Sequence, residues 1–159
     1  MRVKKFLFPI LFILFIVMIS SGCVTKTPSS VTIASSPTQI PEAVALRDSG
    51  FKAYLNGENA TALEFYNQSL VADPDYTRAW IDKGDVLIQL NRTTEAILAY
   101  DSALALDNDL AIVWNSRGEA LMAMKNYTAA LESFNNALRI APKYSAAKEN
   151  RDLVLKKMS

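Results

Sequence analysis

Gly50, Gly84 and Gly118 stand 34 residues apart, and the residues around them recur at the same interval. That is the length of a two-helix unit that stacks on copies of itself. Twelve residues after each glycine comes an alanine (Ala62, Ala96, Ala130). Four further on is an aromatic (Tyr66, Tyr100, Phe134), and four beyond that a leucine (Leu70, Leu104, Leu138). Trp80 and Trp114 precede two of the glycines by four positions, and Leu46 fills that slot in the first copy. Pro74 and Pro142 are 68 residues apart, two whole periods. A glycine inside a helix costs about 1 kcal/mol relative to alanine. The same cost at the same place in three helices implies that something packs closely there. With no Cβ at Gly84 a paired helix can approach, and Ala96 is expected to face the gap.

Apolar periodicity and helix breakers predict an all-α chain. Helices are expected near 43–55 and 60–72, separated by Asn56-Gly57-Glu58-Asn59, then near 77–90 and 94–106, and near 111–124 and 128–140. A seventh, near 145–157, carries Ala147, Val154 and Leu155 on one side and Lys148, Glu149, Arg151, Asp152 and Lys156 elsewhere. A terminal unit needs such a polar outer side because water meets it. Three units and a cap approach the minimum for a continuous core.

The repeated residues resemble the tetratricopeptide repeat (TPR) family, whose pattern has Trp, Leu-Gly and Tyr on the first helix. On the second it has Ala, an aromatic and Ala, with Pro at the turn. The second copy reads Trp80, Lys83-Gly84, Leu87, Ala96, Tyr100, Ala103. The third reads Trp114, Arg117-Gly118, Leu121, Ala130, Phe134, Ala137, Pro142. The first is more divergent: Leu46, Ser49-Gly50, Ala53, Ala62, Tyr66, Ser69, Pro74. Asn108 replaces the turn proline of copy two, where Asp107-Asn108-Asp109 is still good turn chemistry. The resemblance implies a helix-turn-helix solenoid with repeats at 43–76, 77–110 and 111–144 and a capping helix at 145–159.

Upstream, Arg2, Lys4 and Lys5 precede the apolar stretch Phe6–Ile19, interrupted only by Pro9, and then Ser20-Ser21-Gly22-Cys23. A basic start, a short apolar run and small residues mark an export signal, here 1–22. Ser-Ser-Gly-Cys resembles the lipobox of prokaryotic lipoproteins, which makes Cys23 the expected lipidation site. Ser20 departs from the leucine usual three residues before that cysteine. An uncleaved anchor helix and a soluble secreted product are the alternatives, and all three put the repeats on the extracytoplasmic side. Cys23 is the chain's only cysteine, so no disulfide framework exists. The Ser/Thr/Pro-rich stretch within 23–42 lacks apolar periodicity and is expected to act as a linker with a reach of up to ~60 Å. Cleavage would leave 14 basic against 16 acidic residues, a poor match for nucleic acid.

First helices of stacked pairs line a concave face. The resemblance places Val44, Arg47, Phe51 and Tyr54 there, with Arg78, Ile81, Asp85 and Ile88 from the second copy. Ile112, Asn115, Glu119 and Met122 follow from the third. Such a groove suits an extended peptide or partner helix with apolar anchors and a basic residue near Asp85 and Glu119. Met122 and the isoleucines fit core packing equally well. Some family members clamp a C-terminal carboxylate on this face. Here Phe51 and Asp82 occupy slots where asparagines would be needed, which argues against that use. Asn59, Asn91 and Asn126 each begin an Asn-X-Thr triplet at an intra-repeat turn and are candidate glycosylation sites. The plainer reading is that asparagine favours turns. With no histidine, one cysteine and no glycine-rich phosphate loop, neither catalysis nor a cofactor or metal is expected. The expected role is an adaptor for another protein, with a self-associating envelope protein as the alternative.

Overall fold

The computed structural model describes residues 40–159. The export signal, Cys23 and the linker up to residue 39 therefore lie outside the described residues. Seven helices follow: α1 (Pro41–Leu55), α2 (Asn59–Ala72), α3 (Thr77–Gln89), α4 (Thr93–Leu106), α5 (Ala111–Ala123), α6 (Tyr127–Ile140) and α7 (Ser145–Met158). α1 begins two residues earlier than the periodicity suggests, because Pro41 takes its first position. Its fixed φ suits a helix start, and its missing N–H would be unbonded there anyway.

Helices pair as α1 with α2, α3 with α4 and α5 with α6, and each pair packs on the next through α2–α3, α4–α5 and α6–α7. α1 also touches α3, and α5 touches α7, so first helices neighbour first helices. A continuous core of Leu63, Tyr66, Val86, Leu87, Tyr100, Leu104 and Val113 runs from the first pair into α5. Leu121, Ala130 and Phe134 close it against Val154 of α7. Ala147 and Val154 are buried as expected. Leu155, expected beside them, is 47 % exposed. Residues 154 and 155 are about 100° apart around a helix, and α7 has only one neighbouring pair to pack on.

The three repeat glycines sit against the aromatic sixteen residues ahead, which corrects the expectation for Ala96. A Cβ at Gly50 would lie 2.6 Å from Tyr66 Cε1, one at Gly84 2.7 Å from Tyr100 Cδ1, and one at Gly118 2.5 Å from Phe134 Cε1. In each case Cε1 and Cδ1 of the ring are the nearest atoms. Ala96 is buried four residues before the ring that fills the space.

Each pair turns in the same way. The N–H of Gly57 bonds to the carbonyl of Tyr54, and that of Glu58 to Ala53. Asn91 and Arg92 repeat this with Ile88 and Leu87, as do Lys125 and Asn126 with Met122 and Leu121. This C-terminal closure needs a left-handed residue, and φ is +80° at Gly57, +59° at Asn91 and +61° at Lys125. Asn91 thus has a conformational duty, and the Asn126 side chain accepts from the N–H of Ala129 at 3.4 Å to cap α6. Lys125 is the costly choice, since only glycine and, less readily, asparagine visit this region easily. We expect Lys125→Gly to raise stability by roughly 0.5–1 kcal/mol, after allowing for glycine's looser unfolded chain. Denaturant midpoints read this directly, and a fall would refute it.

Between pairs, Trp80 Nε1 donates to the carbonyl of Pro74 at 2.8 Å, and Trp114 Nε1 to that of Asn108 at 2.9 Å. The Asp73 side chain accepts from the N–H of Asp75 at 3.1 Å, and Asp107 from Asp109 at 3.0 Å. Proline and asparagine therefore build the same turn.

Candidate interaction groove

Three concavities that share lining residues run along the first helices and the inter-repeat turns. One of about 120 Å³ is lined by Phe51, Tyr54, Tyr66, Arg78, Asp82 and Asp85. The next, about 620 Å³, continues from Arg78, Asp82 and Asp85 across Ile81 to Asp109, Leu110, Ile112 and Ala141. A third, about 550 Å³ with an almost wholly apolar lining surface, lies where Ile112 meets Ala141, Pro142, Lys143 and Tyr144. Phe51 is 38 % and Ile112 69 % exposed, so apolar surface stands open at both ends of an acidic middle.

That middle has a definite wiring. Asp82 is buried and receives Arg47 Nε on one oxygen, while Arg78 Nε lies 3.3 Å from the other. Arg47 also meets Asp48 at 3.2 Å and stacks over the Phe51 ring at 4.9 Å. Burial by itself lowers the Arg47 guanidinium's proton affinity, but the bond to Asp82, its charge and the bond to Asp48 together raise it. Asp85, one turn on, accepts from the Tyr100 hydroxyl at 2.8 Å. Burial raises the Asp85 carboxyl above its ordinary range, partly countered by that bond. The Tyr100 phenol is raised too, by burial and by Asp85, and stays neutral. Burial pushes the Tyr66 phenol up to about 12.

A pH dependence follows, with its sign fixed. A carboxyl whose folded pKa is raised is uncomfortable as an anion, so folding gains as pH falls through that pKa toward the unfolded value. Asp85→Asn removes this term and keeps an acceptor for Tyr100. Its stability advantage over wild type should be largest at neutral pH and close as pH falls into the ordinary carboxylate range. Arg78, Asp82 and Tyr100 face the same spot in both proteins and largely cancel. A pH-independent difference between the two unfolding curves would overturn the assignment.

Of the residues expected on this face, Phe51, Tyr54, Arg78, Ile81, Asp85 and Ile112 line the concavities. Val44 and Arg47 do not; Arg47 acts from behind, through Asp82. Ile88 packs against the main core and Met122 against the last cluster, and both stay partly exposed. Asn115 is a correction: it is 4 % exposed and not open to a partner. Its amide donates to Glu119 Oε1 at 2.9 Å, and Asn150 of α7 donates to Asn115 Oδ1 at 3.1 Å and to Glu119 Oε1 at 2.8 Å. Glu119 is exposed, but α7 already occupies one of its oxygens. Sequence reasoning missed Asp109, Leu110, Ala141 and Tyr144. They come from inter-repeat turns, where Leu110 and Tyr144 stand one 34-residue period apart. Among the described residues, no three Cys, Asp or Glu side chains converge as metal ligands would.

The family model described as TPR repeat matches residues 84–125, and that described as tetratricopeptide repeat matches residues 111–144. Residues 84–144 are tetratricopeptide repeats. Among solved structures the chain is similar to the first TPR of Spaghetti (RPAP3) bound to an HSP90 peptide, SRMEEVD. The identity is 20 % over 74 % of this chain and 93 % of that one, with a TM-score of 0.71. The Sgt2 TPR domain from Aspergillus fumigatus is also 20 % identical, over 75 % and 80 % of the two chains, with a TM-score of 0.69. MamA gives 21 % over 73 % and 68 %, with a TM-score of 0.71. At such identities the likeness is one of fold, and the fold is a TPR solenoid. No curated protein matches the chain.

Proposed function

We propose that this chain is an adaptor whose TPR groove holds a segment of another protein, carried on the extracytoplasmic face of a prokaryotic membrane. The observation behind it is the series of concavities along the first helices and inter-repeat turns, with Phe51 exposed toward one end and Ile112 toward the other. TPR folds are generally interaction modules, and one structural neighbour holds a peptide. Anchoring rests on Arg2, Lys4, Lys5, Phe6–Ile19 and the Ser20-Ser21-Gly22-Cys23 junction, with lipid on Cys23. Two acyl chains hold a protein stably where one does not.

The test is affinity capture from crosslinked native membranes, comparing wild type with an Asp85→Arg, Ile112→Glu variant. A protein recovered by the first and lost by the second supports the adaptor. Identical recoveries count against it. Acyl labelling that disappears in Cys23→Ser supports the lipid anchor, and no label in wild type favours an uncleaved helix.

A second reading has an observation of its own. Val71 is 84 % exposed beside Leu46 on the first pair, and Leu153 and Leu155 are exposed on α7. Apolar surface at both ends of a stack favours self-association. Against it stand Lys148, Glu149, Asp152, Lys156 and Lys157, all exposed on α7. Sedimentation that is independent of concentration would exclude it.

A further inference from the structure

Arg78 stands on the wall of the TPR groove with its side chain 61 % exposed, Arg47 sits behind it, and both pair with Asp82. Asp82 takes Arg47 on one carboxylate oxygen and Arg78 on the other. Arg47 is mostly buried, with a 13 % exposed side chain, so it cannot swing out without leaving Asp82 unpaired. Asp85 differs. Its partner is the neutral Tyr100 hydroxyl, and among the described residues no lysine or arginine lies within ion-pair distance of it. Asp109 adds a further carboxylate on the same wall. In the first two concavities Arg78 on the wall and Arg47 behind it stand against Asp82, Asp85 and Asp109, so the unmatched charge there is negative; Lys143 borders the third. Glu119, bonded to Asn115 and Asn150, lies outside these concavities.

On either side of this acidic middle stand apolar side chains: Phe51 and Tyr54 toward the first pair, and Ile112, Pro142 and Tyr144 toward the last, with the exposed Lys143 beside them. Neighbouring helices pack roughly 8–10 Å apart, and an extended chain advances about 3.3 Å per residue. One helix-to-helix step thus corresponds to about three ligand residues. We propose that the groove selects an extended segment with a lysine or arginine flanked, about three residues away on each side, by apolar side chains. Asp82 sets that selection by holding both arginines, so that Asp85 faces the ligand.

This rests on the adaptor reading and goes further by naming the ligand's chemistry. The charge contrast should decide the outcome, because charges across an interface govern discrimination more than total affinity. The probes are three blocked peptides of glycine and serine with leucines three residues on each side of a central lysine, glutamate or glutamine. Binding is measured to the full-length chain by anisotropy at low salt. Wild type is expected to prefer the lysine peptide over the glutamate one by about tenfold or more. Asp85→Asn should abolish most of that preference while retaining glutamine-peptide binding. Asp82→Asn should release Arg47 and Arg78 and turn the preference toward glutamate. If Asp82→Asn fails to fold, the Asp85→Asn ratio and its insensitivity to salt still decide the matter.

Equal affinity for lysine and glutamate peptides, or a glutamate preference in wild type, overturns the proposal. No peptide binding, with groove-dependent capture from membranes intact, overturns it as well but leaves the adaptor reading standing. Loss of both removes the adaptor reading too.

Discussion

Gly84→Leu should abolish the single cooperative unfolding transition of the repeat stack. The new Cβ would sit 2.7 Å from Tyr100 Cδ1 and 2.9 Å from Cζ, inside van der Waals contact. The ring cannot give way cheaply. It is 2 % exposed within the main core, and its hydroxyl is bonded to Asp85. Forcing even one carbon into a packed core costs about 1–3 kcal/mol, and leucine adds three more. Against a typical total of about 5–15 kcal/mol, Gly84→Ala should lower the denaturant midpoint visibly and Gly84→Leu should separate the pairs on either side. Combining Gly84→Leu with Tyr100→Ala should recover part of the loss, because the two residues share one space. Unchanged melting of the single variant would show that the glycine is merely tolerated.

Val154→Asp is expected to have a large effect of a different kind. Val154 is fully buried against Leu121, Ala130 and Phe134. A carboxylate there has no partner, and the cost to the attachment of α7 should be ~4 kcal/mol or more. In a stack each unit contacts only its neighbours. The 14-residue α7 should therefore come away alone. Hydrogen exchange should show lost protection at 145–158 and retained protection in α1–α4. The bonds from Asn150 go with it, which frees Glu119 and Asn115. Loss of protection along the whole chain would contradict this locality.

The fold was readable because helix starts, stops and the 34-residue period are local properties. Pro41, Gly57 and the Asp-X-Asp turns each act within a few residues. The groove was readable only where one helix face determines exposure, as for Phe51, Asp85 and Ile112. Asp82's hold on Arg47 joins residues 35 apart, and no local pattern marks it. The closure of Asn115 by Asn150 was hidden for a related reason, since α7 lies beyond the last full repeat and has no counterpart to compare with. Lys125 was missed because its neighbours in register, Gly57 and Asn91, advertise the left-handed turn and lysine does not.

Both indoles of the chain are fastened to turns in the middle of the stack, Trp80 at Pro74 and Trp114 at Asn108. Their fluorescence is therefore a built-in gauge of those two turns. Helices α1, α2 and α7 carry no such chromophore. Ellipticity counts every helix, whereas emission samples only the centre. A stack that frays from its ends will lose ellipticity before its tryptophan spectrum shifts. One that breaks at Gly84 will show the reverse order.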